Sequence, residues 1–164
     1  MNKTRYSKSD AVKELESLAD SAKRERYPKT PPEWLAPVKF RDDSANGLTR
    51  CIVSFLRLQG HQAERISNTG RPVDRTISFT DVMGRRRTVG RFEWVHGTGS
   101  RGTADISATI AGQSVKIEVK AGRDRQSDAQ RRYQDEVERA GGTYIIARDF
   151  TGFLQWYNQN FGNG

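Results

Sequence analysis

Two stretches in the C-terminal half alternate apolar and polar residues with a period of two. They are Ala104-Asp105-Ile106-Ser107-Ala108-Thr109-Ile110 and Ser114-Val115-Lys116-Ile117-Glu118-Val119-Lys120. That period marks half-buried β-strands. Ala111-Gly112 between them suits a two-residue hairpin turn, because glycine takes positive φ at no steric cost. Closing the hairpin there sets Ile110 opposite Gln113 and Asp105 opposite Glu118. Directly opposed residues share a face, so one polar face carries Asp105, Glu118 and Lys120. A register slipped by one residue would put Glu118 on its partner's apolar face, and the hydrophobic pattern resists that.

Other segments follow the helical period. Ala11, Val12, Leu15, Leu18, Ala19 and Ala22 predict an N-terminal accessory helix capped by Ser9 or Asp10. It fades in Lys23-Arg24-Glu25-Arg26, and Pro28, Pro31 and Pro32 break it. Trp34 and Leu35 are expected to dock it on the rest of the chain. Residues 1–42 are thus read as a helix plus Pro-rich linker, and residues 43–160 as the main domain. That domain opens with a helix from about Ala45 to Gln59, whose apolar face carries Leu48, Cys51, Ile52, Phe55 and Leu56. A strand from Gln62 to Ser67 follows, ended by Asn68-Thr69-Gly70. Two more strands are expected, about Arg75 to Phe79 and Arg87 to Trp94, joined around Met83 to Arg86.

The glycine-rich loop His96 to Gly102 leads into the Asp105 strand. It lacks the Lys-Ser/Thr ending of a nucleotide-binding P-loop, so nothing points to ATP. After Lys120, Ser127-Asp128-Ala129-Gln130 has the form of a capping box, and Ala129, Tyr133, Val137 and Ala140 continue at helical spacing. Gly141-Gly142 ends this helix. An apolar strand, Thr143 to Arg148, comes next, and Asp149 can cap a last helix burying Phe150, Phe153, Leu154 and Tyr157. A strand–helix–strand crossover makes the strands at 114–120 and 143–148 parallel. The expected fold class is α/β, a mixed β-sheet flanked by helices.

At 164 residues the chain fits one domain with a real core. Its net charge of +8 favours polyanions, nucleic acid ahead of acidic membrane surfaces. No apolar run approaches the roughly 18 residues of a membrane span, and the N-terminus lacks a signal peptide's apolar stretch. Cys51 stands alone, so no internal disulfide forms, and a reducing cytoplasm fits. With His61 and His96 as the sole histidines, a structural zinc site is not expected.

Charge patterning gives the hairpin its chemistry. Two carboxylates about 5 Å apart repel unless one is protonated or a cation sits between them. Hard oxygen ligands suit Mg²⁺ or Mn²⁺, and Mg²⁺ takes one or two protein carboxylates while keeping several waters. The plainer reading is an exposed strand face whose acids pair with neighbouring Lys and Arg.

Gly102-Thr103-Ala104-Asp105-Ile106, then Ile117-Glu118-Val119-Lys120, then Gly122-Arg123-Asp124-Arg125 and Gln130, together resemble the PD-(D/E)xK nuclease superfamily. Within it the chain looks most similar to the virus-type replication–repair nuclease (VRR-NUC) branch, itself similar to Holliday-junction resolvases. The resemblance spans roughly Asn46 to Phe153. It implies a restriction-endonuclease-like αβββαβ core and a metal-dependent, structure-selective or nicking endonuclease of phages or mobile elements. The substrate would be DNA, branched or forked DNA included, and paired cuts on a junction would require a homodimer.

Position by position, the resemblance implies that Asp105 and Glu118 are metal ligands, with the Val119 carbonyl a third. Lys120 orients or deprotonates the attacking water, or stabilises charge on the phosphate. Its place beside two acids should raise its pKa, which suits the stabilising role. Gln130 fixes Lys120 or a phosphate, or serves only the capping box. Arg85, Arg86, Arg87, Arg101, Arg123 and Arg125 would contact the nucleic-acid backbone. One departure stands out: many members carry a glutamate early in the first core helix, where this chain has Ser44-Ala45-Asn46-Gly47-Leu48. Asn46 is the auxiliary candidate there. Ala104 replaces the proline that often precedes the aspartate. The missing acid favours an alternative, a catalytically weak or inactive nucleic-acid-binding module; a third reading is a small mobile-element protein that binds a partner enzyme, its basic surface incidental.

Overall fold

A computed structural model describes residues 6–66, 70–95, 100–120, 122 and 124–162. The chain is mixed α/β. Helix α1 (Asp10–Arg26) is followed by a 3₁₀ turn (Pro32–Trp34) and helix α2 (Ala45–Leu58). Then come β1 (Gln62–Arg65), four short strands β2 (Arg71–Asp74), β3 (Ile77–Thr80), β4 (Arg86–Val89) and β5 (Phe92–Val95), and β6 (Ile106–Ile110) and β7 (Gln113–Val119). Helix α3 (Asp128–Arg139), β8 (Thr143–Ala147) and α4 (Phe150–Phe161) complete the chain.

The central sheet has the order β1-β6-β7-β8. β6 lies antiparallel to both β1 and β7, whereas β7 and β8 are parallel, as a crossover through α3 requires. The hairpin register is the expected one: Ile110 pairs with Gln113 and Ile106 with Ile117. Its turn uses positive φ at both Ala111 (47°) and Gly112 (80°), the backbone that matches strand twist.

Alternation decides what the sheet buries. Ile106, Ala108, Ile110, Val115, Ile117 and Val119 face a core that they share with Leu48, Cys51, Ile52, Phe55 and Leu56 of α2 and Phe150, Phe153 and Tyr157 of α4. Phe55 sits at the centre of edge-to-face contacts with Phe150, Phe153 and Tyr157. Cys51 is buried in this core, and burial pushes its thiol up to about 12, out of reach of redox or nucleophilic chemistry.

Helix α1 is capped by Ser9 and adds fully buried Val12 and Leu15 to the same core. Trp34 does not dock it, being 77% exposed. Polar ties hold the return segment instead: Glu16 accepts from the Phe40 amide and Asp20 from the Val38 amide, both at 2.7 Å.

The strands at 71–95 differ from expectation. They do not join the sheet but form a separate antiparallel ribbon, with β2 paired to β5 and β3 to β4. Both halves keep one register, Asp74 opposite Phe92 and Ile77 opposite Val89. Gly90 separates them at φ 110°, packed so closely that a β-carbon would lie 2.2 Å from the Arg75 carbonyl oxygen. Among the described residues, no helix is long and apolar enough to cross a membrane.

Candidate active site

The polar face of the hairpin is where the acids meet. Asp105 immediately precedes β6, one step outside the strand expected to contain it. Its Oδ2 accepts the Val119 amide at 2.9 Å, which clamps it beside the end of β7. Glu118 is almost fully buried, 2% exposed. One of its oxygens, Oε1, takes the Lys120 ammonium at 3.1 Å and the side-chain amide of Gln130. The other, Oε2, is buried and has no hydrogen-bond partner. A buried carboxylate oxygen without a partner is costly and calls for an explanation.

Burial pushes the Glu118 carboxyl above the usual carboxylate range, and the neighbouring charge of Asp105 adds to the rise. Lys120 opposes this without cancelling it. For Lys120 itself, burial works to lower the pKa, but hydrogen bonds to Asp124 and Glu118 outweigh it and hold the ammonium above its ordinary value. The expected rise is present, but Glu118 and Asp124 cause it, not the expected pair of Glu118 and Asp105.

Gln130 serves two sites at once. Ser127 caps α3, its hydroxyl accepting the Gln130 amide at 3.3 Å, while Gln130 Oε1 accepts the Ser127 amide at 2.9 Å. The remaining Nε2 reaches Glu118. The capping box therefore fixes the rotamer that aims the amide at the buried carboxylate. Gly102 brings the segment before Asp105 against this helix start. It has φ +84°, and a β-carbon there would lie 2.3 Å from the Ala129 carbonyl oxygen. Gly102→Ala is expected to cost about 2 kcal/mol from backbone strain alone, measurable by urea unfolding, and to weaken any activity of the acidic face by pushing Gln130 out of reach of Glu118.

Two residues at this site were not anticipated. Asp124 Oδ2 lies 3.1 Å from Lys120 Nζ, so the ammonium is held between two carboxylates, Glu118 and Asp124. Arg148 reaches from the end of β8 to the carbonyls of Gly122 and Asp124 at 3.4 and 3.3 Å, tying down that loop. Arg65 donates to Asn46 Oδ1 at 2.7 Å. The auxiliary candidate Asn46 thus stands at the start of α2 with its amide oxygen occupied by a cation. No periodicity signals these contacts; only the tertiary fold brings the groups together.

Asp105, Glu118, Val119, Lys120 and Gln130 are therefore gathered at one place. Arg101 and Arg125 are exposed in the flanking loops, while Arg123 lies outside the described residues, as do His96, Asn68 and Thr69. Arg85, Arg86 and Arg87 are carried on the ribbon, where Arg87 pairs with Asp81 at 2.9 Å. His61 is engaged with the Tyr157 hydroxyl at 2.8 Å.

The donor types at the acidic face, two carboxylates beside a backbone carbonyl, are those that a small, hard divalent cation takes. Asp105, just before β6, and Glu118 of β7 lie near enough for the charge of one to act on the other, and one Glu118 oxygen is buried without a donor. Among the described residues no group of three or more His, Cys, Asp or Glu is placed to hold a metal ion. A two-carboxylate site suits Mg²⁺, which fills its remaining positions with water and phosphate oxygens. Comparison of the chain with family models gives no match, and comparison with curated proteins gives none either.

Proposed function

We propose that the protein is a metal-dependent nuclease that hydrolyses phosphodiester bonds in DNA, with the acidic face of the β6–β7 hairpin as its active site. The observation that carries this reading is Glu118 Oε2, a buried carboxylate oxygen with no partner, next to a second acid. The element order α2, β1, β6, β7, α3, β8, with the ribbon as an insertion, is compatible with the αβββαβ core that the nuclease resemblance implies.

In this reading Asp105 and Glu118, with the Val119 carbonyl, hold Mg²⁺ or Mn²⁺. Such a cation, when bound, would supply charge stabilisation at the phosphate and a more acidic water. Lys120 remains protonated at neutral pH, since its pKa lies above the ordinary lysine value. It therefore supports negative charge developing on the phosphate and does not act as the base. Asp124, the more exposed of its two partners, is the one that an incoming phosphate displaces. Gln130 keeps Glu118 oriented. Arg101 and Arg125 bind flanking phosphates, which positions the strand without reading sequence.

Asn46, held by Arg65, supports a second reading: a weak or inactive nuclease-like DNA-binding module that lacks the third acid. Supercoiled plasmid and forked DNA incubated with Mg²⁺, Mn²⁺ or EDTA separate the two. The first reading predicts cation-dependent cutting. Binding without cutting under every cation condition would leave only the second.

A further inference from the structure

The 70–95 ribbon projects without a partner. All of its strand residues except Val73 are exposed, and its substantial contacts are within itself. A two-stranded hairpin alone is marginal in water, and this one draws little support from the body. Its tip is nonetheless sharply built. Asp81 Oδ1 accepts the amides of Met83 and Arg85, each at 2.9 Å, and Gly84 supplies positive φ at 73°. This turn thrusts two apolar side chains into solvent: Val82 is 103% exposed and Met83 74%. Directly behind them, Arg85 and Arg86 have no ion pair among the described residues.

Apolar groups at the point with free arginines at the shoulder match a broken base stack lined by phosphates. Side chains of this kind enter base steps as wedges, and prying open a continuous step costs a few kcal/mol. Where stacking is already interrupted, at a fork, nick or mismatch, that cost is largely absent. Exposed Ile77, Phe92 and Trp94 along the ribbon would also suit a second copy, but the unpaired cationic charge at the tip complements nucleic acid and opposes another basic chain.

We propose that the ribbon is a wedge that selects DNA with interrupted stacking, Val82 and Met83 entering the break while Arg85 and Arg86 hold the adjoining phosphates. The proposal takes DNA as the partner from the reading above, but it does not need the acidic site to be catalytic.

The test is fluorescence anisotropy in EDTA with intact, nicked and forked duplexes of equal length, using the full chain. Wild type should prefer the forked and nicked DNA. The tip variant Val82→Ser/Met83→Ser should lose about tenfold on those substrates while binding intact duplex as before. The shoulder variant Arg85→Ala/Arg86→Ala should weaken on every substrate and flatten the salt dependence of log K by about 2. All four residues are exposed, so circular dichroism should show unchanged folding. No preference in wild type, or equal fork binding by the tip variant, overturns the wedge. So does a homodimer in sedimentation that the tip variant dissolves while its DNA binding stays intact. Fork-selective binding with no cutting in Mg²⁺ sinks the nuclease reading and leaves the wedge standing. Full cutting of forks by the tip variant does the reverse.

Discussion

Asp105→Asn is expected to lower cleavage by about 10³-fold, because several kcal/mol of charge stabilisation at the phosphate is lost with the ligand. In EDTA the same variant should be slightly more stable than wild type, by about 1 kcal/mol. The gain has a clear origin. Asp105 helps push the buried Glu118 carboxyl upward, and asparagine removes that charge while keeping an oxygen for the Val119 amide. Adding Mg²⁺ should reverse the order, since wild type alone then gains binding energy. Parallel melts in EDTA and Mg²⁺, with a cleavage time course, check both halves. A variant that is merely misfolded would lose activity and stability together.

Lys120→Met is the second substitution with a large expected effect. It should lower cleavage by about 10²-fold or more through loss of charge support at the phosphate. It should also destabilise the protein by about 3 kcal/mol, because the Glu118 carboxylate stays buried with its cation removed. The pH dependence has a definite sign. Glu118 already has a raised pKa in the folded state, so its burial is best tolerated below the ordinary carboxylate range, and stability falls as pH rises through the folded value. Removing Lys120 raises that value further. The deficit of Lys120→Met should therefore shrink on acidification, as Glu118 takes up a proton, and grow toward neutral pH. Urea unfolding of both proteins across that range measures it. A deficit independent of pH would mean that lost packing, not the uncompensated charge, is the cause.

The chemistry-bearing part of the chain was the most legible. Strict alternation, the Ala111-Gly112 turn and a capping box led from residues alone to the hairpin register and the start of α3. These signals are local and periodic, and one face of each element is buried, so a wrong register carries a penalty. The ribbon was read with incomplete strands, because neither of its faces packs on the body and no burial constraint sharpens its pattern. Trp34 was expected to dock and does not; an aromatic side chain alone does not specify a core position. Arg65 on Asn46 and Asp124 on Lys120 were missed for another reason. Each joins a long cationic side chain at a strand end to a short polar one on another segment, where spacing along the chain has no fixed meaning. Both contacts change the site's electrostatics: one places a cation at the start of α2, and the other holds the lysine between two carboxylates.

Cation capture by the paired acids is the claim beneath the rest. Calorimetric titration of Mg²⁺ and Mn²⁺ into metal-free protein near neutral pH addresses it without relying on the correct DNA substrate. The predicted result is saturable binding to wild type that is lost in Asp105→Asn while circular dichroism stays unchanged. Equal heats for the two proteins, or none for either, would contradict it.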